Sequence, residues 1–115
     1  MIPLFISSKN RPIQLRLLLD SIRTNCRNLF NVTVLYKADG PHYELGYKKL
    51  EREKLLPVLR FVEEEESVNG MFINQLNEFM EIYSDFFCLM VDDNILYRKI
   101  AHTADEIIEQ FTEDV

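Results

Sequence analysis

Apolar and polar positions along this chain follow two periods in turn. Short apolar runs with strand character begin at Ile2, Val32, Leu59 and Phe86, and stretches with helical spacing separate them. In Ile2-Pro3-Leu4-Phe5-Ile6 the proline fits the first residues of a strand or an edge position, where a missing N–H costs no ladder bond. Pro12 favours a helix start because its ring presets φ, and Leu15, Leu18, Leu19, Ile22 and Cys26 then give one apolar face. Phe30, Val32, Val34 and Tyr36 alternate with Asn31, Thr33 and Leu35, and the run ends in the turn signal Lys37-Ala38-Asp39-Gly40-Pro41. Tyr43, Tyr47 and Leu50 mark a second, more polar helix that Pro57 stops, ahead of the brief strand Leu59-Arg60-Phe61-Val62. Ser67 can cap a third helix, whose apolar face is Val68, Met71, Phe72, Leu76, Phe79 and Tyr83. Phe86 to Val91 is a continuous apolar run, the pattern of a strand buried on both faces. Ala104, Ile107, Ile108 and Phe111 outline a last helix.

Strand and helix therefore alternate from end to end, which predicts right-handed crossovers and a mostly parallel sheet of about four strands. The expected fold is α/β: a half-length, Rossmann-like three-layer sandwich forming a single domain over residues 1–115. A hydrophobic content of 47% with 28% charged residues excludes a disordered chain. No apolar run approaches a membrane span, and the N-terminus has no signal-peptide pattern, so no integral membrane segment is expected. Cys26 and Cys88 read as free core thiols, which implies a reducing, cytoplasmic location. The net charge of −6 argues against non-specific nucleic-acid binding. Glu63-Glu64-Glu65-Glu66 reads as a solvated loop, and Lys48, Lys49, Arg52 and Lys54 interleave with Glu51 and Glu53 as on an exposed helix face.

The candidate chemistry lies at Asp92-Asp93-Asn94, where the last apolar run stops. Ligands of open α/β sheets bind at the carboxyl ends of the strands. Two adjacent acids there repel each other unless a cation, a proton or hydrogen-bond donors compensate. Mg²⁺ or Mn²⁺ carrying a phosphorylated ligand is one such compensation; the alternative is that these residues simply form a turn or cap a helix. The three glycines build no phosphate cradle after the first strand, which disfavours a dinucleotide fingerprint or a P-loop. His42 and His102 have no partner at ligand spacing, and no Ser-His-Asp or Cys-His grouping can be placed on one sheet edge.

A first strand leading into Ser7-Ser8-Lys9-Asn10-Arg11-Pro12 and a leucine-rich helix resembles the start of nucleotide-sugar-dependent glycosyltransferases of the GT-A fold, particularly family 2. Val91-Asp92-Asp93-Asn94 resembles their DXD-type motif, after the fourth strand. The resemblance covers the whole chain and implies the N-terminal, nucleotide-binding half of a GT-A domain. It implies that Ser7, with Ser8 and Arg11, faces the nucleotide, and that Asp39 accepts a hydrogen bond from a uracil imide. It further implies that Asp92 contacts ribose, while Asp93 holds Mn²⁺ or Mg²⁺ between diphosphate oxygens. The ligand would be a nucleotide-diphosphate sugar of uridine type, and the parent activity transfer of its glycosyl group to an acceptor.

Two local departures stand out: Asn94 replaces a further acid, and the loop at Lys37-Ala38-Asp39 is less acidic than usual in the family. The acceptor site and catalytic base of such enzymes lie downstream of the DXD strand. This chain is therefore expected to bind a donor without transferring from it, and no catalytic residue is assigned. The rival reading is a non-enzymatic α/β module that self-associates or binds a partner through an exposed edge. A phospho-acceptor receiver domain is disfavoured, because those domains place their acids after the first strand.

Overall fold

The computed structural model describes residues 1–64, 71–82 and 87–113. The two sequence periods become eight elements: β1 (Ile2–Lys9), α1 (Pro12–Cys26), β2 (Phe30–Lys37), α2 (Pro41–Glu53), β3 (Leu59–Glu63), α3 (Met71–Ile82), β4 (Cys88–Val91) and α4 (Ala104–Glu113). The strands form one parallel sheet in the order β3-β2-β1-β4. Register runs from Ile2 opposite Phe30 to Lys9 opposite Lys37, and from Leu4 opposite Cys88 to Ser7 opposite Val91. Pro3 is tolerated in this central strand because of that register. Ile2 N–H bonds toward the β2 side at Leu29 O, so the next residue's missing N–H faces β4, whose pairing begins only at Leu4.

Connection order decides which face each helix covers. Steps from β1 to β2 to β3 run in one direction and lay α1 and α2 on one face. The return from β3 to the opposite edge reverses direction, so a right-handed crossover puts α3 on the other face. Alternate strand residues divide accordingly. Leu4, Ile6, Val32 and Val34 pack with Leu15, Leu18, Leu19 and Ile22 of α1, Tyr47 and Leu50 of α2, and Ala104, Ile107 and Ile108 of α4. Phe5 and Leu35 pack with Phe79 of α3, joined by Leu76 and Phe87. Residues 95–100 are strapped to α1: Asn25 Nδ2 donates to Leu96 O, Leu96 N–H donates to Ser21 Oγ, and Ile100 N–H donates to Asn25 O.

The fourth strand departs from expectation. The apolar run predicts burial on both faces, yet β4 is an edge strand with Leu89 and Val91 53% and 50% exposed. A four-stranded sheet is roughly 15–20 Å wide and a helix about 10 Å, so α3 alone leaves part of its face open. Grooves flank α3, one over Thr33, Leu35 and Val62, the other over Phe5, Ser7, Leu89 and Val91. A second difference is the end of α2, which stops at Lys54 in the left-handed conformation (φ 48°, ψ 56°), three residues before Pro57. The acidic run begins inside the sheet, with Glu63 closing β3 and Glu64 N–H bonding to Tyr36 O. The predicted cap Ser67, together with Glu65, Glu66, Val68, Tyr83 and Phe86, lies outside the described residues. No helix among the described residues is long and apolar enough to cross a membrane.

Candidate functional site

Between β1 and β4 the strand order reverses, α3 entering β4 from one face while α1 and α4 both pack on the other. Ligands of open α/β sheets bind at the carboxyl ends of the strands. Ser7 stands opposite Val91 in register, so the two strands end side by side. After Val91 the chain makes a tight turn, in which Asn94 N–H donates to Val91 O at 3.1 Å. The Asn94 side chain folds back, its Oδ1 accepting Val91 N–H at 3.0 Å. Asp92 and Asp93 are thus the two central residues of a β-turn. The turn sends them in different directions: Asp92 is 5% exposed, and Asp93 is exposed.

Asp92 is buried with partners. Ser8 Oγ donates to its Oδ2 at 2.9 Å, and Arg11 Nη1 lies 3.6 Å from Oδ1. The repulsion expected of two neighbouring acids is therefore met within the protein, by a donor and a guanidinium. Behind Ser8 stands Tyr47, whose hydroxyl is 2.7 Å from Ser8 Oγ and accepts Arg11 N–H at 3.0 Å. Proton counting fixes the direction of the chain. Ser8 has one hydroxyl proton and gives it to the carboxylate, so the Tyr47 O–H must donate to Ser8. Burial pushes the Tyr47 phenol above its usual 10.0, against the lowering effect of its hydrogen bonds with Ser8 and Arg11, which keeps that proton in place. The sequence of donors runs from Arg11 N–H to Tyr47, to Ser8, to Asp92, linking α2, the end of β1, the β1–α1 loop and the turn after β4.

A second link holds the neighbouring loop. Asn10 takes a left-handed backbone (φ 55°), a conformation asparagine tolerates better than most residues. Its Oδ1 accepts Asp39 N–H at 2.7 Å and its Nδ2 donates to Asp39 Oδ2 at 3.1 Å, tying the β1–α1 loop to the β2–α2 loop.

Among the residues singled out from sequence, Ser8, Arg11 and Asp92 are in direct contact. Ser7 lies one residue earlier and so faces the α3 side, lining a groove with Leu76, Val91 and Asn94. Asp39 belongs to the adjoining loop through Asn10, and Asp93 sits on the exposed corner of the turn. The histidines stand apart from this group. His42 lies edge-on to Tyr43, and His102 Nδ1 is 3.1 Å from Glu106 Oε2 at the start of α4. The Glu106 carboxyl is held below its usual value by hydrogen bonds from His102 and Thr103, a local helix-start arrangement.

Tyr47 and Asn10 were not among the candidates. Tyr47 reads in sequence only as an apolar-face marker, although a buried tyrosine hydroxyl needs a partner and could have flagged it. No group of three or more His, Cys, Asp or Glu able to hold a metal ion occurs among the described residues. Mg²⁺ is commonly held by one or two carboxylates with substrate phosphates and water completing its shell. The exposed carboxylate of Asp93 fits an ion brought in with a diphosphate better than a resident one. Comparison with family models, with curated proteins and with solved structures returns no match.

Proposed function

We propose that this chain binds a nucleotide-diphosphate sugar in the manner of a GT-A glycosyltransferase, family 2-like, whose parent activity is glycosyl transfer. The observation that carries this reading is the contact of Ser8 and Arg11 with Asp92 where β1 and β4 end together. In this reading Asp92 accepts from ribose hydroxyls, and Asp39 lies toward the base, of uridine type. Asp93 holds Mn²⁺ or Mg²⁺ against the diphosphate, where the ion offsets phosphate charge. Arg11, compensating Asp92 from an exposed position, supplies positive charge at the same edge. No acceptor site or base is assigned, so these 115 residues are expected to bind donor without turning it over. Cys26 and Cys88 are both free thiols, which suits the reducing cytoplasm proposed for the protein.

Calorimetric titration with uridine diphosphate, with and without Mn²⁺, tests the reading. Wild type should bind only with the metal, and Asp93→Asn should lose that dependence together with most of its affinity, while melting as wild type or slightly higher. Equal, metal-independent binding by both proteins would remove Asp93 from the metal site. An absence of binding by wild type would reject the nucleotide reading altogether.

One observation favours a second reading, an interaction or oligomerisation module. The half-exposed Leu89 and Val91 on edge strand β4 leave apolar surface and open backbone beside the site.

A further inference from the structure

We propose that Tyr47 is a positioning residue of this site: acting through Ser8, its hydroxyl sets the orientation in which Asp92 meets a ligand. Only the ligand's identity rests on the nucleotide reading; the orientation of Asp92 is a property of the protein alone.

Tyr47 is unusually well fixed for a residue with this task. It is 1% exposed, and its ring stacks on Tyr36 with centroids 4.6 Å apart and planes at 28°. Its helix is seated close against the start of α1, since a Cβ added at neighbouring Gly46 would lie 2.7 Å from Pro12 Cγ. The phenol oxygen is therefore delivered to one place by packing that leaves little freedom. From there it serves two groups that flank Asp92: it donates to Ser8 Oγ and accepts from Arg11 N–H. A serine hydroxyl has three staggered side-chain positions, of which this arrangement uses one. With the phenol in place, Ser8 Oγ is held as a donor to Oδ2, and the backbone that carries the Arg11 guanidinium is held as well. Asp92 is thus gripped on both oxygens by groups that share one anchor, placed on a different helix. A tyrosine that only filled the core would need its ring and not its hydroxyl.

Three proteins test the proposal: Tyr47→Phe, Ser8→Ala and the double variant, each checked for wild-type far-ultraviolet dichroism. In the ligand-free state the side-chain carboxyl ¹³C resonance of Asp92 reports its hydrogen bonding. Tyr47→Phe should move that resonance in the wild-type background and move it much less when Ser8 is already alanine, since only the hold on the Arg11 backbone then remains to be lost. For uridine diphosphate with Mn²⁺, each single variant should lose affinity on the order of tenfold, as for one hydrogen bond. The double variant should lose little more than either single. An unmoved resonance in folded Tyr47→Phe, or losses that simply add, would overturn the proposal. Where Tyr47→Phe fails to fold, fluorotyrosine at position 47 keeps the ring and makes its hydroxyl more acidic. The Asp92 resonance then shifts if the chain of donors is continuous and stays if it is not. A wild type that binds no nucleotide rejects the nucleotide reading, and the resonance still decides the role of Tyr47.

Discussion

Asp92 and Asp93 are adjacent in sequence and chemically identical, yet the turn after β4 gives them opposite surroundings. One is buried against Ser8 and Arg11, and the other faces solvent. Burial acts on other single residues through their protons. Desolvation pushes the Cys26 thiol up to about 11 from its ordinary 9.0, and raises the Cys88 thiol and the Tyr36 and Tyr47 phenols in the same direction. The folded protein therefore keeps the Cys26 proton at pH values where the unfolded chain has lost it. That contribution to stability is complete below pH 9, and it declines as pH rises from about 9 through about 11. Urea midpoints measured at pH 8 and pH 10.5 should fall accordingly, and Cys26→Ser should flatten the decline. Alkylation of native Cys26 at pH 8 should be slow, because little thiolate is present.

Two backbone positions matter most to the helices. Gly46 lets α2 approach α1 closely: a methyl there would meet Pro12 Cγ at 2.7 Å and Cβ at 2.9 Å. Gly46→Ala gains helix propensity of up to about 1 kcal/mol but must push the helices apart. Overpacking of this kind costs about 1–3 kcal/mol, so a net loss of stability is expected by chemical denaturation. Because Tyr47 is the next residue, the displacement should also weaken ligand binding more than the stability loss alone suggests. Lys54 presents the reverse case. It ends α2 in the left-handed region, where a side chain is strained and glycine is not. Lys54→Gly should therefore raise stability, by about 1 kcal/mol at most, with no effect at the site. A measured loss would mean that the lysine side chain contributes more than its backbone strain costs.

The molecule as a whole is covered unevenly. Among the described residues, three helices pack on one face of the sheet and α3 alone on the other, beside the half-exposed β4. Edge strand β4 is short, which limits edge pairing, but it carries apolar side chains and none of the lysine or proline that usually discourages pairing further among Cys88–Val91. Asn94 occupies the N–H of Val91, which protects only the carboxyl end of that edge. Association through this region should depend on Leu89. Leu89→Lys should shift sedimentation at tens of micromolar toward a monomer while leaving the proposed binding of uridine diphosphate unaltered, since Leu89 lies on the face opposite Ser8. Identical sedimentation of the two proteins would remove β4 as a contact surface.

The sequence by itself determined the elements, their alternation and hence the parallel sheet. Period, proline placement and turn residues act locally, and right-handed crossovers leave few ways to connect such elements. It also marked the acids after β4, Asp92 among them, because residues at strand ends of an open α/β sheet are placed by topology before any packing detail is known. Ser8 and Arg11, by contrast, were singled out only through the resemblance of their segment to the start of a GT-A domain. Tertiary structure alone decided that β4 is an edge strand. An apolar run states what a strand could bury, and neighbours settle what it does bury. Only packing could turn Asp92 inward and leave Asp93 outside, because a turn's orientation depends on what it docks against. The same holds for Tyr47. Helical spacing put its ring on the buried face, but its hydroxyl reaches Ser8, 39 residues away, only once α2 lies against α1. Hydrogen bonds between distant residues leave no period in a sequence, and the centre of this site is made of them.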